Sequence, residues 1–240
     1  MVTPLGDVGA IEDALASRTE SRALVISDAV YSTSGDIADV RALYAVARAH
    51  GAALLVDEAH GLGVAGPGGP GGRGAVAAAE LSGAPDLVVT VTLSKSLGAQ
   101  GGAILGPPEL RGHLIDAVRP IIFDTALARP AAAGALAALR LLRDDPSLTG
   151  SVLRNAEAIA AAWGVAAPPS AVAPVILGDP VRAVTARDNL RGRGVLVGVF
   201  HPPSVPPGGS RLRITARANL APEELRRAAP RDGDVPPPRD

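Results

Sequence analysis

The chain has 240 residues, 47% of them hydrophobic, with a formal net charge of −1 and no cysteine. That length can bury a sizeable core, and near-neutrality offers no field to draw in a nucleic-acid backbone or an anionic bilayer. Five aromatics (Tyr31, Tyr44, Phe123, Trp163, Phe200) make no base-stacking platform, and the lack of cysteine excludes disulfides, thiolate zinc sites and thiol nucleophiles.

Residues 8–19 carry apolar positions at helical spacing, and ALVIS at 23–27 reads as a short buried strand. The best amphipathic helix is IADVRALYAVARAHG at 37–51, with Gly51 as its C-cap. Further strands are predicted at 52–56, 86–93 and 101–106, then helices at 108–118 and 130–145. Apolar strands without polar alternation, separated by helices, predict a mostly parallel sheet with helices on both faces. After Pro146 the pattern changes to a helix at 150–163, strands at 173–178, 194–200 and 211–215, and a capped helix from 221. The expected organisation is an α/β large-domain portion over 1–145, a small α+β domain over 146–229 and a flexible tail over 230–240. The Gly-rich stretch 66–74 reads as a loop. No apolar run reaches the ~18 residues of a membrane span, and the N-terminal Asp7, Glu12 and Asp13 do not form a signal sequence, so a cytoplasmic protein without nucleic-acid or membrane partners is expected.

Among 23 basic residues, 22 are arginine and one, Lys95, is lysine. A general bias towards arginine accounts for the 22 and leaves the exception to be explained. Arginine serves any surface task that needs a cation but cannot lose its proton, whereas a lysine amine can become a nucleophile or a Schiff base. Three predicted strands end in polar clusters: Asp28, Tyr31 and Ser32; Asp57, Glu58 and His60; Thr92, Ser94 and Lys95. Ligands of open α/β sheets bind beyond the carboxyl ends of the strands, where parallel strands would bring these clusters to one edge. A carboxylate, an imidazole, hydroxyls and one amine together suit pyridoxal 5′-phosphate (PLP): the amine for the Schiff base, the carboxylate for the pyridinium nitrogen, the hydroxyls for the phosphate. Taken singly, Asp57 is also a plain turn cap and His60 more often a structural histidine. DEAH at 57–60 matches a helicase metal box, but no phosphate-binding GxxxxGK[ST] loop accompanies it. The four histidines are too scattered in sequence for a zinc site, and no metal is expected.

The strings DAVYSTSGDIADV (28–40), LLVDEAHGLGVAG (54–66), VTLSKSLGAQGG (91–102), RPIIFDTALARPAA (119–132) and HPPSVPPGGSRLRIT (201–215) resemble, in order, the PLP-dependent α-oxoamine synthases, a class I/II aminotransferase family of fold type I. Ser94 and Thr125 are similar to the biotin-synthesis branch rather than to the glycine- and serine-using branches. The resemblance implies a transferase in which Lys95 forms the Schiff base and Asp57 pairs with the pyridinium, while His60 and Ser32 contact the ring oxygen region. Thr92 would bind the phosphate, and Thr125 would reach the phosphate held by the partner subunit of a homodimer. Ser204 and Arg213 would contact substrate, the Arg213 guanidinium binding the amino-acid carboxylate bidentately. The implied reaction is an acyltransfer, the decarboxylative condensation of L-alanine with a pimeloyl thioester carried on CoA or acyl carrier protein. Asp28, Tyr31 and Asp124 replace the family's usual Glu, Phe and Ser. Family members also have an N-terminal part of the large domain that finds no match here, so the chain is expected to be a C-terminal portion, inactive alone. Two alternatives stay open: a non-catalytic remnant, and a related synthase using glycine or serine.

Overall fold

The computed structural model describes residues 1–65 and 72–237. Most of the Gly-rich stretch expected as a loop, and residues 238–240, lie outside them. The chain divides into two compact units, one of residues 1–30 and 37–146 and the other of residues 31–36 and 147–240. The second unit resumes at Ser147 and also takes in residues 31–36, which the sequence reading counted in the large-domain portion.

In the first unit the elements run α1 (Val8–Ala16), β1 (Leu24–Asp28), α2 (Val40–Ala49), β2 (Ala53–Asp57), α3 (Ala75–Ala78), β3 (Leu87–Thr92), β4 (Gly102–Leu105), α4 (Pro108–Ala117), α5 (Arg119–Ile122) and α6 (Arg129–Asp144). The sheet order is β1-β2-β3-β4, with the first three strands parallel and β4 antiparallel to β3. Asp7 and Asp39 start α1 and α2 by accepting the backbone N–H of Ala10 and Ala42, each at 2.9 Å. Ile37, expected in the helix, instead bridges Val30. At the other end of α2 the C-cap is His50, and Gly51 follows at φ 62°. The N–H groups of Gly51 and Ala52 return to the carbonyls of Arg48 and Ala47, the closing pattern that a left-handed glycine allows. The α2 helix packs on β1 and β2, and its Leu43 and Ala47 are fully buried, as are Leu54 and Val56 of β2. On the opposite face of β1, Leu24 and Ile26 are 52% and 67% exposed.

In the second unit, α7 (Ser147–Trp163), β5 (Val172–Gly178), α8 (Pro180–Gly192), β6 (Gly198–Phe200), β7 (Ser210–Thr215) and α9 (Pro222–Ala228) form an α+β arrangement around an antiparallel sheet ordered β5-β7-β6. Its core joins Ile159 and Ala160 of α7, Leu190 of α8, and Leu212 and Ile214 of β7. Burying such a leucine fully contributes about 1.5–3 kcal/mol. The α8 helix escaped the sequence reading because much of its buried stripe is alanine, at Ala183 and Ala186. The strand expected over 194–200 begins only at Gly198, since the N–H groups of Gly194 and Val195 return to carbonyls of Arg191 and Leu190 and close α8. The stretch expected as a flexible tail is held to α8 through residue 236. Asp234, 4% exposed, pairs with Arg193, Asn189 donates to the carbonyl of Gly233, and Arg182 Nε donates to that of Pro236 at 2.6 Å.

The 31–36 segment is fixed in this unit by Ser170, fully buried, whose hydroxyl donates to the carbonyl of Gly35 at 2.7 Å. Gly35 has φ 80°, and a Cβ there would overlap the carbonyl oxygen of Val172. Gly35→Ala is therefore expected to destabilise the protein by about 2–4 kcal/mol, combining left-handed strain with a backbone clash. Urea unfolding of the two proteins checks this; equal midpoints would show that the segment is not tightly seated.

Candidate active site

Side chains of a strand alternate between faces, so register decides which of them share a site. Asp28 pairs with Asp57, and Asp57 with Thr90. The three stand in one row at the carboxyl ends of β1, β2 and β3, the edge at which the sequence placed the polar clusters. Thr92, two residues beyond Thr90, lies on the same face.

Asp57 is half-buried and both of its oxygens are engaged: Oδ1 accepts the N–H of Ala59 at 2.8 Å, and Oδ2 accepts the hydroxyl of Thr90 at 2.6 Å. The first bond is the turn cap considered from sequence; the second ties the carboxylate to the neighbouring strand. A carboxylate has about four lone-pair sites, so capacity for another donor is left. Burial, and then the Asp57 charge, raise the Asp28 carboxyl above the ordinary carboxylate range, while Lys95 opposes the rise. Thr92 and Ser94 share a hydrogen bond of 2.7 Å between their hydroxyls, and the Ser94 N–H reaches Thr92 Oγ1 at 3.3 Å. Lys95 follows in this turn and is exposed, and β3 itself, expected as a buried strand, is only half-buried beyond Leu87. His60 is half-buried in the run of turns after β2. Thr125 is exposed, its N–H donating to Asp124 Oδ1 at 2.8 Å.

Glu58 points elsewhere. It is 3% exposed, and its Oε1 accepts the Val76 N–H at 2.7 Å at the start of α3. Its Oε2 has no hydrogen-bond partner, and a Cβ on Gly61 or Gly74 would run into the carboxylate. Burial raises this carboxyl above its ordinary value, the N–H groups of Val76 and Ala75 oppose the rise, and the Asp57 charge adds to it. A cleft of about 630 Å³ also opens beside Glu58, lined by Leu62, Val76, Val89, Val91 and Leu105. Its β3 residues, Val89 and Val91, alternate with Thr90 and Thr92, which puts this apolar cleft on the other face from the polar row. Among the described residues, no three His, Asp or Glu side chains gather as a metal would require, and no helix is long and apolar enough to cross a membrane.

The second unit holds Ser32, Ser204 and Arg213. Arg213 Nη1 donates to the carbonyl of Ser32 at 3.2 Å, and its guanidinium stacks 4.9 Å from the Phe200 ring centre. Burial lowers its pKa, and Nε has no hydrogen-bond partner. Ser204 is exposed, its N–H donating to the carbonyl of His201. Thr90, the hydroxyl that ties down Asp57, received no role in the sequence reading. The available signal was its spacing: two residues before Thr92, hence on the same strand face.

Residues 5–231 match the aminotransferase class I and II family. The chain belongs to that family. It is 53% identical over 226 residues to an 8-amino-7-oxononanoate synthase of Mycolicibacterium vanbaalenii, covering 94% of this chain and 59% of that protein. The same named enzyme of Mycobacterium tuberculosis is 55% identical, with 94% and 58% covered. The chain thus spans somewhat over half the length of these curated relatives. Among solved structures, a serine palmitoyltransferase of Sphingomonas wittichii matches with a TM-score of 0.83 at 30% identity, covering 92% of this chain and 56% of that one. An SPT structure containing PLP matches with the same TM-score at 31% identity, over 92% and 56% of the two chains. These agree with the fold class read from the sequence, a parallel-dominated α/β sheet of fold type I.

The raised Asp28 carboxyl gives a pH dependence of stability. Between the ordinary carboxylate range and its raised value, the folded chain holds a proton that the unfolded chain has released, so stability falls as pH rises through that window. Asp28→Asn removes the contribution. It is expected to be more stable than the parent at neutral pH and to lose that advantage in acid below the ordinary carboxylate range. Urea midpoints at the two pH values check this; an advantage that does not change with pH would exclude the Asp28 charge as its source.

Proposed function

We propose that this chain acts in a PLP-dependent acyltransferase of the 8-amino-7-oxononanoate synthase type, joining L-alanine to the acyl group of a pimeloyl thioester with release of the thiol and of CO2. The observation that carries this reading is the row of Asp28, Asp57 and Thr90 with the sole lysine of the chain just beyond it, in a chain 53–55% identical to enzymes of that name. The donor set fits the cofactor: one amine, a carboxylate with spare acceptor capacity, and neighbouring hydroxyls. When bound, PLP supplies the electron sink that stabilises a carbanion at the amino-acid α-carbon.

The chain's own residues then take these parts. Lys95 would hold the cofactor through its aldehyde, and its Nζ would serve as the base for the α-proton. Asp57 would accept a hydrogen bond from the protonated ring nitrogen and, by its opposite charge, keep that proton on the ring. His60 and Ser32 contact the ring oxygen region, and Thr92, with its hydroxyl already oriented beside Ser94, binds the phosphate. Arg213 holds the substrate carboxylate, its guanidinium oriented by the Phe200 ring, and Ser204 lines the substrate side. Thr125 serves the partner subunit of a homodimer, which suits its exposure. The thioester arrives on CoA or acyl carrier protein, and the work is cytoplasmic.

A single lysine makes the test direct. Borohydride reduction of the PLP-treated chain, followed by peptide mass mapping, is expected to place the adduct on Lys95, and Lys95→Arg is expected to abolish it. An adduct confined to the Met1 amine would overturn the assignment. In protein that turns over L-alanine, Asp57→Asn is expected to retain PLP while lowering kcat by more than about tenfold, about 1.4 kcal/mol in the barrier. A smaller loss would reduce Asp57 to a turn cap.

A further inference from the structure

We propose that Thr90 is a positioning residue for the ring-nitrogen contact: its hydroxyl holds the Asp57 carboxylate in the orientation that presents its free lone pairs to a pyridinium N–H. The inference rests on the cofactor reading above and goes beyond it, by assigning a role to a residue outside the motif strings' amine, carboxylate and phosphate-binding groups.

Strand β3 does not require a hydroxyl at this point. Its neighbours Val88, Val89 and Val91 show that the strand accommodates β-branched apolar side chains, and valine has nearly the shape of threonine without the donor. The hydroxyl is nonetheless committed, donating to Asp57 Oδ2 at 2.6 Å, a short hydrogen bond between a neutral donor and a carboxylate. Asp57 is restrained by this bond and by the Ala59 N–H on Oδ1. The Ala59 bond comes from two residues along the same turn and fixes one oxygen; the Thr90 bond comes from the adjacent strand and fixes the plane. On the other side of Asp57 in the row stands Asp28, a second carboxyl that offers repulsion rather than a donor. Without Thr90 the carboxylate is free to turn about its Cβ–Cγ bond, away from Asp28 and from the orientation a ring nitrogen needs. A positioned acceptor is worth more to a charged donor than a mobile one, because its ordering is complete before the ligand arrives.

The test compares the parent chain with Thr90→Val and Thr90→Ser. Each is titrated with PLP, the absorbance spectrum of the bound cofactor is recorded across neutral pH, and adducts are trapped with borohydride. Thr90→Val is expected to bind PLP about tenfold more weakly, the loss of one hydrogen bond to a charged group. It is also expected to lose the protonated-ring absorbance at lower pH than the parent, whereas Thr90→Ser, which keeps the donor, recovers both properties. Should Thr90→Val not fold, Thr90→Ala takes its place in the same comparison. Equal affinity and an equal pH profile in the parent and the hydroxyl-free variant would overturn the proposal alone, as would a serine variant that behaves like valine. A parent chain that takes up no PLP on Lys95 would overturn the cofactor reading and this proposal with it.

Discussion

The candidate site depends on the parallel register of β1, β2 and β3. A slip of one residue in any strand would turn its terminal polar side chain to the opposite face and put an apolar one in its place. Buried apolar residues on the other face hold that register: Val25, Leu54, Val56 and Leu87 are all under a tenth exposed. Packing beneath the sheet thus fixes the positions of polar groups above it. The turn beyond β3 then adds Ser94 and the amine and is closed by the N–H of Ala99 on the carbonyl of Leu93 at 2.8 Å, while the turn beyond β2 is tied to β3 by the N–H of Glu58 on the carbonyl of Thr90 at 2.7 Å.

The adjacent carboxyls Asp57 and Glu58 show how a change of strand face changes chemistry. Asp57 is half-buried, with two donors and capacity for a third. Glu58 is almost wholly enclosed, accepting from the start of α3 and wedged against two glycines that leave room for no side chain of their own. Its burial raises the cost of carrying charge, and only the α3 backbone N–H groups offset that cost. Glu58 therefore reads as a joint between β2 and α3, which fixes where the turn carrying His60 begins, rather than as a reacting group.

The first unit was largely legible because its signals are of the kind that sequence carries well. Uniformly apolar strands, an amphipathic α2 and polar residues at the strand ends all point to an α/β sheet with a site at one edge. Less visible were features that depend on partners distant in the chain. The packing of 31–36 in the second unit needs Ser170 and Val172, more than a hundred residues away. The ordering of the C-terminal stretch needs Arg182 and Asn189 on α8 and Arg193 at the C-cap of that helix, whose alanine-rich buried stripe gave little periodic contrast. Thr90 was overlooked for a different reason: a threonine in a strand is ordinary, and only the register with Asp57 shows what its hydroxyl meets.

The exposure of Lys95 sharpens the argument from composition. Had this lysine been buried, shape or desolvation would have sufficed to explain why arginine did not replace it, since an ammonium tolerates burial by giving up its proton and a guanidinium does not. At an exposed position with no steric demand, a chain that uses arginine at all 22 of its other basic positions has no structural reason to keep lysine. The property that separates the two side chains at such a position is a nitrogen able to form and break a covalent bond to carbon, which is the role proposed for Lys95. Its neighbourhood fits that proposal: Asp28 is close enough for the two charges to be felt, and the Thr92 and Ser94 hydroxyls, bonded to each other, stand three residues and one residue before the lysine.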